Sequence, residues 1–344
     1  MRLIYQLVNN YGVAIVLFTI ITKILLFPIS YKQQKNTLRM QLIQPKLKKL
    51  QAKYKDKPQE LQQAQMQLYQ EEHVNPMSSC LPMFLQFFLL FGVLDVVYKP
   101  LTHILHYSKS VISKVVEIST GILGDSVAKQ YTGLRQELGV LKAFQDNPSA
   151  FSNVDTFDTS KVSDFMEHFT VFGVNLGETP TWHPEVWNTS AVILFCIPLL
   201  SGILQLIMTI YMQIMQKKRG TAPEQNMGCM NVMLYVMPLF SVWFAFQVSA
   251  GVGFYWACSS FFSLLQTIGL NLYFTPERGA KIIEKENKKM EARYAAGKQS
   301  FTERVMNQNA GAARVQETEK TKNMSNRELS SYNKQKIQEA RKRM

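Results

Sequence analysis

Five long apolar runs constrain the fold of this chain more than any other feature of its sequence. Each has 17 to 23 residues, close to the about 20 that an α-helix needs to cross a bilayer. The runs are Tyr11–Phe27, Cys80–Tyr98, Val192–Met212, Met227–Phe246 and Val252–Phe274. Only residues 247–251 separate the last two, which predicts a tight helical hairpin. The sequence therefore predicts an all-α, polytopic membrane protein with five transmembrane helices.

The connections between these runs differ in charge. Residues 29–79 carry nine Lys and Arg against four Asp and Glu, and the residues after Phe274 carry seventeen against nine. The connection 99–187 instead carries seven basic and ten acidic residues. Because basic connections remain on the cytoplasmic side, we expect a multi-pass membrane protein with its N-terminus outside and its C-terminus in the cytoplasm.

The spans divide the chain into segments that we expect to differ in structure. In chain order they are an interfacial amphipathic helix (1–10), the first span (11–30), a cytoplasmic helical hairpin (31–78), the second span (79–98), an external helical cap (99–187), spans three to five (188–274) with a short cytoplasmic loop (213–229), and a basic cytoplasmic tail (275–344). Within the cap, the polar stretch 146–164 predicts a loop. Few apolar residues follow Ile283, so we expect the tail to be disordered or loosely helical.

The predicted cytoplasmic hairpin has little apolar surface with which to fix its two helices. Ile43, Leu47 and Leu50 repeat at helical spacing on the first arm, and Leu61 and Leu68 do so on the second. Gln and Lys occupy most other positions. A pair of helices held by so narrow a stripe is expected to be mobile.

The first predicted span contains one charged residue. Lys23 is in the first span, and a lysine at a helix centre costs roughly 2.5–3.5 kcal/mol on insertion scales. Charged groups within a membrane usually have a function. However, Lys23 lies only about 6 Å from the cytoplasmic end of the span at 1.5 Å per residue, so its ammonium could reach the membrane surface. Lys23 taken alone leaves both interpretations open.

Further polar residues in the spans favour the functional interpretation. Thr19 precedes Lys23 by four residues and shares its helix face, and Gln205 and Thr209 are related in the same way. Gln86 lies in the second span. If these faces converge, the bundle contains a wet, positively charged cavity that opens to the cytoplasm.

Asp95 is the only acidic residue in the predicted spans, and it lies near the outer end of its helix. Lys23 lies in the inner half of the membrane, so we expect no pairing between the two. A lysine without an acidic partner is most stable beside water. It is then available to a carboxylate that another chain brings.

The sequence gives no indication of an enzyme. It contains no Walker motif or other nucleotide-binding loop. The four cysteines, Cys80, Cys196, Cys229 and Cys258, lack the short spacing of a metal or redox pair. We therefore expect no catalytic residues, no cofactor and no metal site.

Four stretches, in this order and at this spacing, resemble the YidC/Oxa family of membrane-protein insertases. They read TIITKILLFPIS, RMQLIQPKLKKLQ, EHVNPMSSCLPMFLQ and MPLFSVWFAFQVSAGVGFYW. The resemblance covers nearly the whole chain except the external cap and the distal tail. It is to the Gram-positive type of the family, because no large outer domain precedes the first span here.

The resemblance implies a five-helix core with a hydrophilic groove, open to the cytoplasm and to lipid and closed on the outside. Thr19 and Trp256 match positions that the family associates with the groove and the path of the client, and Gln86 matches a polar position in the second span. Lys23 falls where most members carry an arginine, which keeps the charge but loses the bidentate geometry. Gln205 and Thr209 come from this sequence alone as further groove residues.

The function that follows is the insertion and folding of client transmembrane segments, by the chain alone or with the Sec translocon. The expected partners are client membrane proteins, the Sec translocon, the lipid bilayer, and the ribosome through the basic tail and cytoplasmic loops. We expect a monomer to be functional. The alternative is a small-solute transporter or channel, which predicts repeated halves with broken helices, and the sequence shows no internal repeat. A purely structural scaffold would leave Lys23 unexplained.

Overall fold

A computed structural model describes residues 1–55, 57–72, 74, 81–219 and 228–295, which are mostly helical. The elements are α1 (Arg2–Val8), α2 (Tyr11–Lys53), α3 (Pro58–Glu71), α4 (Leu81–Tyr98), α5 (Pro100–His103), α6 (Lys109–Ala128), α7 (Gln136–Asp146), α8 (Thr159–His168), β1 (Thr170–Val171), β2 (Val174–Asn175), α9 (Thr189–Lys218), α10 (Gly228–Ala245), α11 (Ala250–Tyr273) and α12 (Pro276–Ala295). The end of the predicted hairpin (75–78), the start of the second span (79–80), part of the predicted loop (220–227) and the distal tail (296–344) lie outside the described residues.

Two helices of the described part, α2 and α9, are long and apolar enough to cross a membrane. Helix α4 contributes a shorter apolar stretch, Phe84–Tyr98. Helices α10 and α11 coincide with the last two predicted runs. Polar residues along α11 lower its mean hydropathy below that of the apolar parts of α2 and α9.

Helix α2 is one continuous element of 43 residues, roughly 65 Å long at 1.5 Å per residue. It begins at Asn10, whose side chain accepts a hydrogen bond from the Val13 amide at 3.0 Å. The sequence prediction divides this stretch at residue 30 into a span and an arm. The helix instead passes through that boundary, with Pro28 and Pro45 inside it.

Helix α3 packs against the distal half of α2. Ile43 and Leu47 of α2 form a small buried cluster with Leu68 of α3 and with Val74. The ammonium of Lys46 forms an ion pair with Glu72. These two helices occupy residues of the predicted hairpin, and one small apolar cluster and one ion pair join them.

Helix α11 is the centre of the bundle, because it packs against α2, α4 and α9. Helix α10 packs mainly along α9. These two helices approach closely at Gly202, where a Cβ would lie 2.1 Å from Cγ2 of Val242. A glycine is therefore needed for this contact.

Residues 99–187 form a compact cap over one end of the bundle, which we call the cap end; the opposite end, from which α3 and α12 project, is the arm end. Helices α6 and α7 pack together, and the core of the cap is continuous with the core of the bundle. The polar stretch 146–164 was predicted as a loop. This prediction is wrong in part, since a 3-10 turn covers Pro148–Phe151 and α8 begins at Thr159.

The reason is that widely spaced aromatic residues in this stretch are buried. Phe151 and Phe157 pack against Phe144 of α7, and Asp158 caps α8 by accepting hydrogen bonds from two backbone amides. A short hairpin of β1 and β2 follows, which the sequence did not predict. Its turn has positive φ at both Phe172 and Gly173, as two-residue hairpin turns require.

The first part of the predicted tail is an ordered helix, α12. Its Ile283 is buried against Leu38 of α2 and Leu270 and Phe274 of α11. Similarly, α9 runs to Lys218, so the first residues of the predicted loop 213–229 are helical. In both places helical structure extends beyond the apolar run on which the prediction depended.

Candidate functional site at Lys23

Helix α11 carries polar residues at intervals of four or eight along its length. We call Tyr255, Ser259, Ser263 and Asn271 the polar stripe of α11. Residues four apart lie on neighbouring turns of one helix face, and this stripe winds past the helices that pack on α11. The stripe is the polar surface on which the site is built.

Lys23 of α2 contacts this stripe directly. Its ammonium donates a hydrogen bond to the hydroxyl oxygen of Ser263 at 2.7 Å. The side chain is partly buried, and no carboxylate among the described residues lies within ion-pair distance of it. A cation with a hydroxyl as its described partner retains two donors for other groups.

Gln86 of α4 contacts the same stripe one turn nearer the cap end. Its amide nitrogen donates to the hydroxyl oxygen of Ser259 at 3.1 Å. Tyr255, one turn further, is buried on the same face of α11. Two of the residues selected from the sequence, Lys23 and Gln86, are thus brought together by α11.

At the arm end, the stripe closes with an amide pair. The side-chain nitrogen of Gln34 on α2 donates to the side-chain oxygen of Asn271 at 3.0 Å, and both residues are buried. This pair lies eleven residues along α2 from Lys23. It joins α2 to α11 on the arm side of the lysine.

The other selected residues make different contacts. The buried Thr19 donates its hydroxyl to the Ile15 carbonyl of its own helix at 2.7 Å. The Thr209 hydroxyl likewise donates to the Gln205 carbonyl at 2.9 Å. The ring of Trp256 lies edge-on to Phe244 of α10, with centroids 5.4 Å apart. Within the described part, no hydrogen bond joins these four residues to Lys23, so their role in a groove stays a prediction.

The stripe residues Ser259, Ser263 and Asn271, and Gln34 opposite, were missed by the sequence reading. Their signal was present, because polar residues four or eight apart in an apolar run define one face. The reading followed charge and depth in the membrane, and a serine in a helix carries little weight on either criterion. The spacing alone could have identified this face of α11.

Asp95 lies apart from Lys23, as expected from its position. Its carboxylate contacts the ammonium of Lys99 at 2.6 Å and the ring nitrogen Nε2 of His103 at 2.7 Å. Both partners are at the cap end, where α4 meets α5. The single acidic residue of the predicted spans is therefore already engaged by two basic groups.

The cap end of the bundle is packed with large side chains. Tyr11 is fully buried, its ring lies 4.8 Å from that of Phe169, and its hydroxyl donates to the Val96 carbonyl at 3.3 Å. The first turn of α11 is covered as well, since the Gly251 amide donates to the Leu176 carbonyl at 2.8 Å. At the cap end, the polar stripe thus ends in a region of packed aromatic rings and backbone hydrogen bonds.

The sequence matches a known protein family and several curated proteins. A family model described as 60Kd inner membrane protein matches residues 3–279. The chain is similar to the membrane protein insertases YidC of Helicobacter pylori (strain ATCC 700392 / 26695), 45% identical over 95 residues, and Clostridium tetani (strain Massachusetts / E88), 48% over 84 residues. It is also similar to that of Caulobacter vibrioides (strain NA1000 / CB15N), 43% identical over 99 residues.

These alignments cover 28%, 24% and 28% of this chain, and 17%, 38% and 16% of the respective relatives. The chain thus spans well under half the length of these curated relatives in the matched part. The family model, in contrast, covers most of the chain, from before α2 to the start of α12. The chain belongs to the 60Kd inner membrane protein family, the YidC/Oxa family of membrane proteins.

Proposed function

We propose that this chain is a membrane protein insertase and chaperone, which inserts and folds the transmembrane segments of client proteins. Family membership and the names of the similar proteins support the proposal. The observation that carries it is the contact of the Lys23 ammonium with Ser263 on a polar stripe, without a carboxylate among the described residues.

The proposed topology has five spans, formed by α2, α4, α9, α10 and α11. In this orientation the cap end is external, and the arms and α12 are cytoplasmic. The excess of basic residues in 29–79 and after Phe274 supports it. Helix α1, which exposes Leu3 and Leu7, then lies along the outer membrane surface as an interfacial helix.

The mechanism is physical and forms no bond. A polar segment of the client must cross about 30 Å of hydrocarbon. A groove along the α11 stripe, with Thr19, Gln205, Thr209 and Trp256 as further walls, shortens the dry part of that path. The Lys23 ammonium attracts acidic groups of the segment, and the apolar segment that follows enters lipid through its own transfer free energy.

The packed cap end favours insertion over the rival function, a small-solute transporter or channel. A channel needs a polar path through both ends of the bundle. Here Tyr11, Phe169 and the carbonyl of Leu176 fill the cap end. A cavity that is closed on this side suits a client that leaves sideways into lipid.

The proposed partners are client membrane proteins, the bilayer, the Sec translocon for some clients, and the ribosome, which would contact the basic tail and the cytoplasmic arms. We propose that a monomer suffices, because the polar stripe and the lysine that faces it belong to one chain. No part of this mechanism requires a cofactor.

Reconstitution tests the proposal. The full chain is placed in liposomes, and a short client with an acidic tail is added after synthesis. Protease protection of the tail should rise severalfold over empty liposomes, whereas flux of small solutes should not change. Insertion equal to that of empty liposomes would refute the insertase, and solute flux would favour the channel.

A further inference from the structure

A second basic site lies at the arm end, where α9 stops. Arg219 follows the last residue of α9, and its guanidinium reaches across to two other helices. It donates to the side-chain oxygen of Gln41 on α2 at 3.2 Å, and to the backbone carbonyls of Asn271 and Phe274 at 3.5 and 3.2 Å. These carbonyls belong to the last turn of α11, which carries the negative end of the helix dipole.

The guanidinium lines a cavity of about 130 Å³ between α2, α12 and the end of α9. This is roughly ten times the 10–15 Å³ of probe volume that one water needs. Its apolar walls are formed by Leu38, Leu42 and Ile283, and its α12 side by Gly279 and Ala280. A side chain larger than that of Gly279 would meet Leu38, since a Cβ there would lie 3.1 Å from Cδ1 of Leu38.

The charge in this cavity is not neutralised by the described part of the chain. No described carboxylate forms an ion pair with Arg219, while the nearby Glu286 is held by Lys35 and Arg39. The Nε atom of Arg219 is buried, and it has no hydrogen-bond partner among the residues that the structure describes. Burial lowers the pKa of the guanidinium, but arginine remains charged. A buried N–H without a partner and a cation without an anion both indicate a missing acceptor.

The place of the cavity indicates what kind of anion it takes. It lies where α9 and α11 end, at the level at which spanning helices leave the hydrocarbon. The exposed side chain of Leu42, 52% of whose surface is accessible, adjoins it. In the proposed orientation, on which this step rests, that level is the cytoplasmic leaflet, which is rich in anionic lipids.

We propose that this cavity binds the phosphodiester headgroup of an anionic lipid, with the acyl chain beside Leu42 and Ile283. The phosphate oxygens accept from the guanidinium of Arg219, which lines the cavity. Free inorganic phosphate carries at least as much negative charge as a phosphodiester but gains nothing from apolar walls, so the lipid binds more tightly. The bound headgroup links α2, α9 and α12, and the inference does not require insertase activity.

Binding of phosphatidylglycerol to the delipidated full chain in a non-ionic detergent, followed by native mass spectrometry, tests this inference. The expected result is binding at least about tenfold tighter than that of phosphatidylcholine. Inorganic phosphate at the same concentration should not displace the lipid. Displacement by phosphate would overturn the lipid assignment in favour of a simple anion site.

Three variants locate the site. Arg219→Gln should weaken phosphatidylglycerol binding about tenfold, as should Ala280→Met, which fills the mouth of the cavity and keeps the arginine. Lys281→Gln removes an exposed charge of α12 outside the cavity and should have no effect. If Arg219→Gln fails to fold, Ala280→Met decides alone. Equal binding by Ala280→Met and the unaltered chain, or equal loss in Lys281→Gln, would contradict the site.

Two further measurements separate the alternatives. Glu224 is the nearest acidic residue in the sequence after Arg219, and a tenfold gain in lipid binding on Glu224→Gln would show that this carboxylate, and not a lipid, occupies the cavity. Client insertion is measured on every variant. Failure of insertion with intact lipid selectivity would refute the proposed function alone, and the reverse would refute the lipid site alone.

Discussion

Lys23 is held by a neutral partner, and this determines what the residue can do. A lysine paired with a carboxylate would have its charge compensated within the protein. The Ser263 hydroxyl orients the ammonium at 2.7 Å without cancelling its charge. The electrostatic attraction for an incoming acidic group is thereby kept, in surroundings where it is weakly screened.

Substitutions at Lys23 should therefore separate charge from shape. Lys23→Glu and Lys23→Ala are expected to reduce insertion of clients with acidic external tails at least about tenfold, because one charge-assisted hydrogen bond contributes roughly 1.5–3 kcal/mol. Lys23→Arg should be tolerated. The measurement is rescue of a strain depleted of its own insertase, with reporter clients of differing tail charge.

Lys32→Glu is the matched control, since Lys32 is exposed on the same helix. It reverses a charge without reaching the α11 stripe, so rescue should be nearly complete. Full activity of Lys23→Glu would eliminate charge attraction as the mechanism.

Glu137 gives the cap a dependence on pH. The carboxylate is buried, with 5% of its surface accessible, and accepts hydrogen bonds from the amide and hydroxyl of Thr102. Burial raises the pKa of this carboxyl, although the hydrogen bonds oppose the shift. Because the folded pKa lies above the unfolded one, the protonated form favours folding, and this stability is lost as pH rises through the folded pKa.

We expect the unaltered chain to lose thermal stability relative to Glu137→Gln as pH rises from about 4 to 8, since the variant lacks the titrating carboxyl. Melting curves of both proteins in one detergent across this range provide the measurement. Parallel curves for the two proteins would show that Glu137 does not titrate differently in the folded state.

The sequence was enough to identify the main charged and polar residues of the site, whereas their contacts could not be predicted from it. Lys23 and Gln86 were identified because polar groups are rare in apolar runs. Their contacts with Ser263 and Ser259 depend on how α2 and α4 rotate against α11, and no local pattern specifies that rotation. The choice of Gln205 and Thr209 used spacing within one helix, which cannot show which neighbour the face meets.

The paired arms formed by α3 and the distal half of α2 share one small apolar cluster. Four buried residues form this cluster, with three partly buried ones packed against it, and the ion pair between the arms is exposed; an exposed pair contributes at most about 1 kcal/mol. We expect amides of Lys46–Gln70 to exchange much faster than those of α11, as measured by hydrogen exchange and mass spectrometry. Equal protection of the two regions would contradict a mobile hairpin.

Helix α12 is attached to α2 by apolar contacts around Ile283 and by the carboxylate of Glu286. Glu286 lies between Lys35 and Arg39, and all three are partly buried. Glu286→Gln should increase amide exchange and proteolysis of α12 severalfold, because it removes both ion pairs. Glu284→Gln is the matched control, as Glu284 pairs only with the exposed Lys288 within α12 among the described residues. Equal effects of the two variants would show that Ile283 alone holds the helix.

The boundaries of these elements show where local pattern fails. The division into a span (11–30) and an arm (31–78) predicted a boundary at residue 30, but the helix continues through it with Pro28 inside. The beginning of α12 appeared too polar to be ordered. Its order depends on Ile283 meeting Leu38, and these residues are more than 240 positions apart in the sequence.

The distal tail is strongly basic. Residues 296–344 hold eleven Lys and Arg against five Glu. Removal of these residues should leave the bundle folded and weaken ribosome binding, more strongly at low salt, because phosphate contacts release counterions. The truncated variant should end at Ala295 and not before Ile283, because α12 is part of the packed structure.

Sedimentation of ribosomes with full-length and truncated protein at two salt concentrations provides the measurement. The loss should affect clients delivered during synthesis more than short clients delivered afterwards. Equal sedimentation of both forms would place the ribosome contact elsewhere, and the basic arm at Lys46–Lys57 would be the first candidate.

At the scale of the whole molecule, the family and the helical class could be predicted from the sequence, and both are confirmed. The count of five spans remains a prediction, since only α2 and α9 are long and apolar enough by composition among the described helices. Helix α11 explains part of the difference. The polar residues of its stripe lower the mean hydropathy by which spans are recognised.

The continuity of α2 turns it into a lever. From Lys23 to Lys53 the helix extends roughly 45 Å at 1.5 Å per residue, so a tilt of about 5° moves its tip by about 4 Å. A large partner that pushes on the arm would therefore change the angle of the first span only slightly, and that slight change is applied where Lys23 meets Ser263. A force on the arm end would then be transmitted along the continuous helix to the contact between Lys23 and the polar stripe.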